Sequence, residues 1–447
     1  MPRGRLGAAA AALALCAGAA TGCATYTDNL LQASQAASGG NYAAAVESLN
    51  DMLGVDDATQ APRKSGADVA LATLERGTLL QSLGRFDDSA RDLSYAESEI
   101  ELIDLSTDPV GTLGSYIYSD SAKPYAALPS ERLTLNAINL LNYLAVGDLE
   151  GAAVEARRFQ VTREYLESEG IGESGIAPFG AYLAGFVFEH KGEGDRALRY
   201  YDDALAGGPL RSLAAPVARL AAVHPYRGDH IEDLAVAPPA TAKRAEGAEL
   251  LFVFNLGRVP HKEPKRVPVG LAIGLIGADV TDDIRFLSRS AGKVVVYPEL
   301  VETPSSTGTP AVRVDGVDVP ADALVDLAAV VRREYDQIKP KILLAALTRL
   351  ASRAAMAEGV RKAGGQGEQW VGDVLSILFE AGMAALDRPD TRSWTMMPAR
   401  VHVARAWVPA GVHRIDIGYD GFAGGARTID VDVPAGGFQA IVVTEPR

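Results

Sequence analysis

Apolar positions in the first half of the chain recur at helical spacing, each set following the same short turn. The turn reads glycine, any residue, then Tyr, Phe or Leu, with a small residue three further on. Its copies are Gly40-Asn41-Tyr42 with Ala45, Gly84-Arg85-Phe86 with Ser89, and Gly147-Asp148-Leu149 with Ala152. A looser fourth is Gly192-Glu193-Gly194 with Ala197. Glycine tolerates the left-handed conformation that ends a helix. The small residue lets the next helix approach closely. Four and seven positions beyond it, Leu49 and Met52, Leu93 and Ala96, Ala156 and Phe159, and Tyr201 and Ala204 continue one face. The pattern predicts four helical hairpins from about residue 27 to 222. The copies lie 44, 63 and 45 residues apart. The long gap holds a Pro- and Gly-rich stretch, Leu105 to Pro129, which carries Tyr116, Tyr118 and Tyr125.

The pattern then changes period. Leu234 to Glu246, with Pro238-Pro239 and many alanines, predicts a linker. Glu249 to Leu256 and Lys293 to Val301 are continuous apolar runs that predict buried strands. Val312 to Val319 alternates around Asp315-Gly316, a two-residue hairpin signal. Asp322 to Ile338 has helical spacing, and Pro340 is expected to start a second helix. That helix carries Lys341, Arg349, Arg353, Arg361 and Lys362, either a solvated face or a docking face for an acidic partner. Val267 to Val280 reads as a glycine-rich core segment with Gly270 and Gly274 in GxxxG spacing. Trp370 to Leu386, interrupted by Asp373 and Glu380, reads as a buried helix or interface. From Arg400 onward, short alternating runs separated by glycines suggest a small antiparallel sandwich. The expected class is α+β: helical repeats over 23–233, a linker over 234–246, a mixed domain over 247–390 and a small β module over 391–447.

The first 22 residues read as a lipoprotein signal. Arg3 and Arg5 precede an apolar run from Leu6 to Ala20, which is too short to span a bilayer. It ends in Ala20-Thr21-Gly22-Cys23, so Cys23 is the expected site of a covalent lipid. Ala24 rather than Asp follows, which by the sorting rule of Gram-negative lipoproteins favours the outer membrane. The mature chain keeps no second cysteine, so it forms no internal disulfide and no thiolate metal site. Loss of Arg3 and Arg5 takes the net charge from −14 to −16. Nucleic acid is a poor partner for such a chain, and an anionic lipid surface repels it.

No nucleophile elbow, P-loop or HExxH is present. His224 and His230 flank a turn with Asp229, at a spacing that matches no standard zinc site. Neither a metal nor another cofactor is expected, apart from the lipid on Cys23. Asp56-Asp57, Asp87-Asp88, Asp202-Asp203 and Asp282-Asp283 read as caps and turns. Glu155 and Arg158 are three apart on one helix and can pair, while Arg157 points elsewhere. Tyr143, Glu155, Arg157, Tyr116, Tyr118 and Tyr125 are the candidate partner-binding residues.

The turn-and-face pattern of the first half resembles the second helices of tetratricopeptide repeats, though the spacing is not the regular ~34 residues. Further phrases extend the likeness. They are Ala137-Ile138-Asn139 through Tyr143-Leu144 with Gly147-Asp148, and Val154-Glu155-Ala156-Arg157-Arg158. Phe254-Asn255 with Gly257-Arg258-Val259-Pro260-His261-Lys262 follows, then Lys341-Ile342 with Arg349. The last is Asp390-Thr391-Arg392-Ser393-Trp394 with Pro398. In this order they resemble a family of large, uncharacterised bacterial lipoproteins. The resemblance implies an envelope location and an architecture, with no reaction attached. It also implies partners among envelope proteins, including outer-membrane lipoproteins resembling penicillin-binding-protein activators. Two functions are therefore expected to compete. One is a non-enzymatic scaffold on the periplasmic face of the outer membrane. The other is an envelope hydrolase or metal-dependent enzyme with its site between the helical and β halves.

Overall fold

Each glycine turn ends one helix and begins the next. The computed structural model describes residues 26–64, 66, 68–106, 125, 127–168, 175–235, 247–276, 294–305, 307–364, 389–419 and 427–447. Within these, α1 (Tyr26–Ser38) pairs with α2 (Tyr42–Leu53), and α3 (Val69–Ser82) with α4 (Phe86–Ser106). Next, α5 (Pro129–Ala145) pairs with α6 (Leu149–Ser168), and α7 (Ala177–His190) with α8 (Gly194–Leu205). A ninth helix, α9 (Arg211–Ala221), follows. Gly40, Gly84, Gly147 and Gly192 have φ of 75°, 72°, 78° and 78°. After each, an N–H reaches back five residues: Asn41 to Ala36, Arg85 to Leu80, Asp148 to Tyr143, and Glu193 to Phe188, all at 2.8 to 2.9 Å. This closure satisfies helix-end carbonyls and turns the chain sharply.

The small residues Ala45, Ser89, Ala152 and Ala197 are fully buried. Leu49, Leu93, Ala156 and Tyr201 share one core. Glycines deepen the fit: a methyl group at Gly180 would overlap the Phe159 ring, and one at Gly185 the Tyr201 ring. In the fourth copy, His224 lies against Gly194, where a side chain at that position would begin.

Among the described residues the second half adds two four-stranded sheets and one two-stranded sheet. In order, its strands are β1 (Gly247–Leu256), β2 (His261–Pro268), β3 (Val294–Val301), β4 (Pro310–Val314), β5 (Val317–Val319) and β6 (Asp322–Asp326). After these come β7 (Arg400–Pro409), β8 (Gly411–Tyr419), β9 (Arg427–Val433) and β10 (Phe438–Glu445). The first sheet runs β10-β1-β7-β6 and the other four-stranded sheet β5-β4-β8-β9. Strand β1 is buried along its whole length because both of its faces are covered. Leu250, Phe252 and Phe254 pack toward the second sheet, while Leu251 and Val253 join the helical core. Alternation within a pleated strand turns one continuous apolar run into two interfaces. The layers are therefore helices, sheet, sheet.

The two-stranded sheet β2–β3 carries α10 (Val269–Ile276) and packs on α11 (Leu327–Gly364). Val267, Tyr297, Tyr335, Leu343 and Leu347 form its separate core. Among the described residues no helix is long and apolar enough to cross a membrane.

The α+β class holds, and the hairpin at Asp315-Gly316 forms with both residues at positive φ. Several sequence expectations need correction. The strands after Arg400 do not make a module of their own. β7 runs antiparallel to β1 and β10 runs parallel to it, whereas β8 and β9 complete the sheet begun by β4. The helix expected from Asp322 starts at Leu327, because residues 322–326 pair with β7 and Asp326 Oδ1 accepts the Ala329 N–H at 2.8 Å. Pro340 lies inside α11 and does not divide it. Asp390, Arg392 and Trp394, at the boundary where the β module was expected to begin, sit on irregular chain. Gly270 and Gly274 face open space rather than a neighbouring helix, and Leu271 and Leu275 are exposed. Cys23, Tyr116, Tyr118, most of the linker and Trp370 to Leu386 lie outside the described residues.

Candidate functional site

The α5–α6 hairpin closes at Gly147, and that closure sets Tyr143 beside the start of α6. The Tyr143 ring lies over Gly151, where any side chain would collide with it. Together with α4 these residues form a cleft of about 250 Å³, lined by Ser94, Glu97, Ser98, Tyr143, Gly151, Val154, Glu155 and Arg158. Glu155 is buried at its floor, and Arg158 bridges two carboxylates. Arg158 Nη1 lies 2.6 Å from Glu97 Oε2 and 3.1 Å from Glu155 Oε1. Asn136 Nδ2 donates to Glu97 Oε1 at 2.6 Å and to Glu155 Oε2 at 3.5 Å. Burial pushes the Glu155 carboxyl up to about 7, and the Glu97 charge adds to the rise against the opposing pull of Arg158 and Asn136. Near neutral pH the floor of the cleft can therefore hold or release a proton.

Beside the cleft, the outer face of α6 is uncovered. Val154, Val161 and Tyr165 are 41%, 65% and 48% exposed. At helical spacing they line up with Arg157, which is also exposed. Apolar side chains usually face inward on such a helix. Here α6 has two apolar faces: Ala152, Ala156 and Phe159 turn into the core, and the valines turn out.

The structure brings Tyr143 and Glu155 together in the cleft and puts Arg157 on the adjoining strip. It removes Tyr125 from the site. That side chain is buried, and its hydroxyl donates to Glu131, whose other oxygen accepts the Trp394 N–H at 2.8 Å. Sequence reading missed Glu97 and the Val154–Val161–Tyr165 strip. The strip was legible as a second set of apolar positions out of phase with the repeat face. Glu97 was not, because nothing local links it to Glu155.

A second cluster, where helices meet sheet, contains the converging Glu–His set that an enzyme between the halves would need. Arg405 Nη2 lies 2.9 Å from Glu189 Oε2 and 2.6 Å from Glu249 Oε1. His190 Nε2 is 3.0 Å from Glu249 Oε2, the Tyr201 hydroxyl donates to Glu189 at 2.6 Å, and Arg219 also bonds Glu189. Burial is the largest influence and raises both carboxyls. Arg405, joined by Arg219, Tyr201 and His190 at Glu189 and by His190 at Glu249, outweighs it and holds both below the usual range. Every charge is matched and the cluster is buried, so it clamps α7, α8 and α9 to β1 and β7. His224 and His230 turn toward different carboxylates, Asp195 and Asp202, each at 3.6 Å. Among the described residues no three His, Cys, Asp or Glu side chains are grouped to hold a metal ion.

The phrases around Arg258 and Trp394 sit at the same junction, whereas Lys341-Ile342 lies on α11, with Ile342 in the separate core beside β2–β3. Arg392 bonds Asp390 and Asp68, and Trp394 Nε1 donates to Thr78 at 3.1 Å. The Thr395 and Met396 N–H groups both donate to Glu75 at 2.7 Å. Arg258 donates to Ser34 and Ser38 in α1, and Asn255 to Gln81 in α3. No family model, curated protein or solved structure matches the chain.

Proposed function

We propose that this chain is a lipid-anchored scaffold of the bacterial envelope. In this reading it is acylated on Cys23, lies on the periplasmic face of the outer membrane, and has no enzymatic activity. Its hairpins act as irregular tetratricopeptide-like repeats that hold an extended segment of an envelope protein, a second outer-membrane lipoprotein being one such partner. The resemblance to the uncharacterised lipoprotein family supports this architecture. The observation that carries the reading is the uncovered Val154–Arg157–Val161–Tyr165 strip beside the Tyr143 cleft. Aromatic and arginine side chains dominate interface energetics, and an apolar strip rimmed by charge is the form a binding surface takes.

The test is capture from envelope extracts with the acylated protein as bait. Arg157→Ala with Val161→Ser should weaken capture at least fivefold and leave the melting temperature unchanged. Undiminished capture by that double variant would sink the reading. Cys23→Ser should release the chain from the membrane fraction, and continued acylation of that variant would refute the anchor.

The hydrolase reading has one observation in its favour, the Glu97–Glu155 pair in an open cleft. It predicts that purified protein turns over an envelope polymer and that Glu155→Gln abolishes turnover. The scaffold reading predicts no turnover by the purified protein, with or without that substitution.

A further inference from the structure

The first described helix begins three residues after Cys23, and it is built into the body from its first turn. Tyr26, Leu30, Ala33 and Ala37 are buried in the main core. Thr27 Oγ1 lies 2.8 Å from Thr391 Oγ1. The Arg258 guanidinium donates to Ser34 Oγ at 2.9 Å and to Ser38 Oγ at 2.6 Å. Helix α1 is therefore part of the fold and cannot serve as a tether.

Only Ala24 and Thr25 separate Cys23 from Tyr26. Three steps of ~3.8 Å between Cα atoms span at most about 11 Å. The headgroup layer on each side of the hydrocarbon core is itself about 5–7 Å thick. An acylated Cys23 thus leaves the start of α1 within about two such layers of the lipid.

We propose, resting on the anchor reading above, that the end of the molecule carrying the first turn of α1 lies directly against the bilayer surface. The exposed Leu31, 56% open to solvent on the outer side of α1, lies in the second turn, five residues beyond Tyr26. Charge does not hold the protein there. Helix α1 contains no Lys or Arg, and the chain is acidic overall, so an anionic lipid surface repels it. The short connection alone enforces contact, and a longer one should let the body stand away.

The experiment uses the full-length acylated protein in vesicles of phosphatidylethanolamine and phosphatidylglycerol, with an energy-transfer acceptor on a fraction of the headgroups. Once Cys23 is acylated, Leu31→Cys supplies a unique thiol for the donor. Strong transfer is expected. It should fall at least threefold when twenty Gly and Ser residues are inserted between Thr25 and Tyr26, with the circular dichroism spectrum unchanged. Equal transfer with and without the insert would overturn the apposition. The mass of the N-terminal peptide separates the two failures. Absence of the acyl groups refutes the anchor, and the apposition with it. Acyl groups present with transfer insensitive to the insert refute the apposition alone.

Discussion

At the residue scale, two glycines of similar local sequence have opposite roles. Gly185 lies in α7 beneath the Tyr201 ring, and Gly270 lies in α10, where an added methyl group would meet only open space. Gly185→Ala should cost about 1–3 kcal/mol, the usual penalty for overpacking a filled core. Gly270→Ala should be neutral or stabilising by up to ~1 kcal/mol, because alanine favours a helix where nothing opposes it. Urea midpoints of the two variants decide the matter. Glu155 gives a pH signature. Its carboxyl titrates near 7 in the folded protein and near the ordinary value, ~4.3, when unfolded. Between those values the native state holds a proton that the unfolded chain has lost, so this group's contribution to stability is full below pH ~4.3. It falls as pH rises through about 7, by roughly 3–4 kcal/mol. Glu155→Gln should flatten the stability profile over this window, and a profile unchanged by the substitution would contradict the burial argument.

At the scale of elements, the four hairpins were readable in advance because their signal is local. A glycine at positive φ, a small residue and an inner face at helical spacing all lie within a dozen residues. Helix α3 shows where that legibility ends. Val69 to Gln81 is buried on every side, so Glu75, Arg76, Thr78 and Gln81 are as hidden as its leucines. No amphipathic pattern could mark it. Those four polar side chains are instead matched at a distance, as Arg76 is to Asp92 at 2.6 Å and Gln81 to Asn142 at 2.8 Å. Helix α6 is the converse, with an apolar face left over after its core face is satisfied. Phe159→Ala on the inner face should cost about 3–5 kcal/mol. Val161→Ser on the outer face should change stability by less than ~0.5 kcal/mol. Thermal melts of the pair test this assignment of faces. Tyr143 is a less clean probe than Arg157, because its ring also packs on Gly151.

At the scale of the whole molecule, the helical and β halves are one body. The main core continues from the hairpins through Trp394, Leu251, Val253, Val401 and Val403. Buried charge crosses the same junction at Arg405. Arg405→Ala would take from buried Glu189 and Glu249 the guanidinium they share, leaving Glu189 to Arg219 and Tyr201 and Glu249 to His190, at a cost of about 3–5 kcal/mol. A fragment ending at residue 233 should likewise fail to fold cooperatively, since it lacks the strand and the tryptophan that cover its helices. A sharp two-state melt of that fragment would show the halves to be separable after all.

What the sequence determined by itself was what short range can encode: the hairpin turns, the continuous apolar run of β1, the Asp315-Gly316 turn, and the α+β class. It also carried the signal-like N-terminus and the phrases around Arg258 and Trp394, without showing what those residues touch. Only the tertiary structure decided that β10 returns parallel to β1 and that Tyr125 belongs to the core. It alone placed Glu97 over Glu155, and it alone turned one face of α6 into a solvent-facing strip. Strand pairing and charge pairing join residues tens to hundreds of positions apart. The free energy that selects them, burial of both faces of β1 and compensation of charges such as Arg405, exists only once the chain has closed around them.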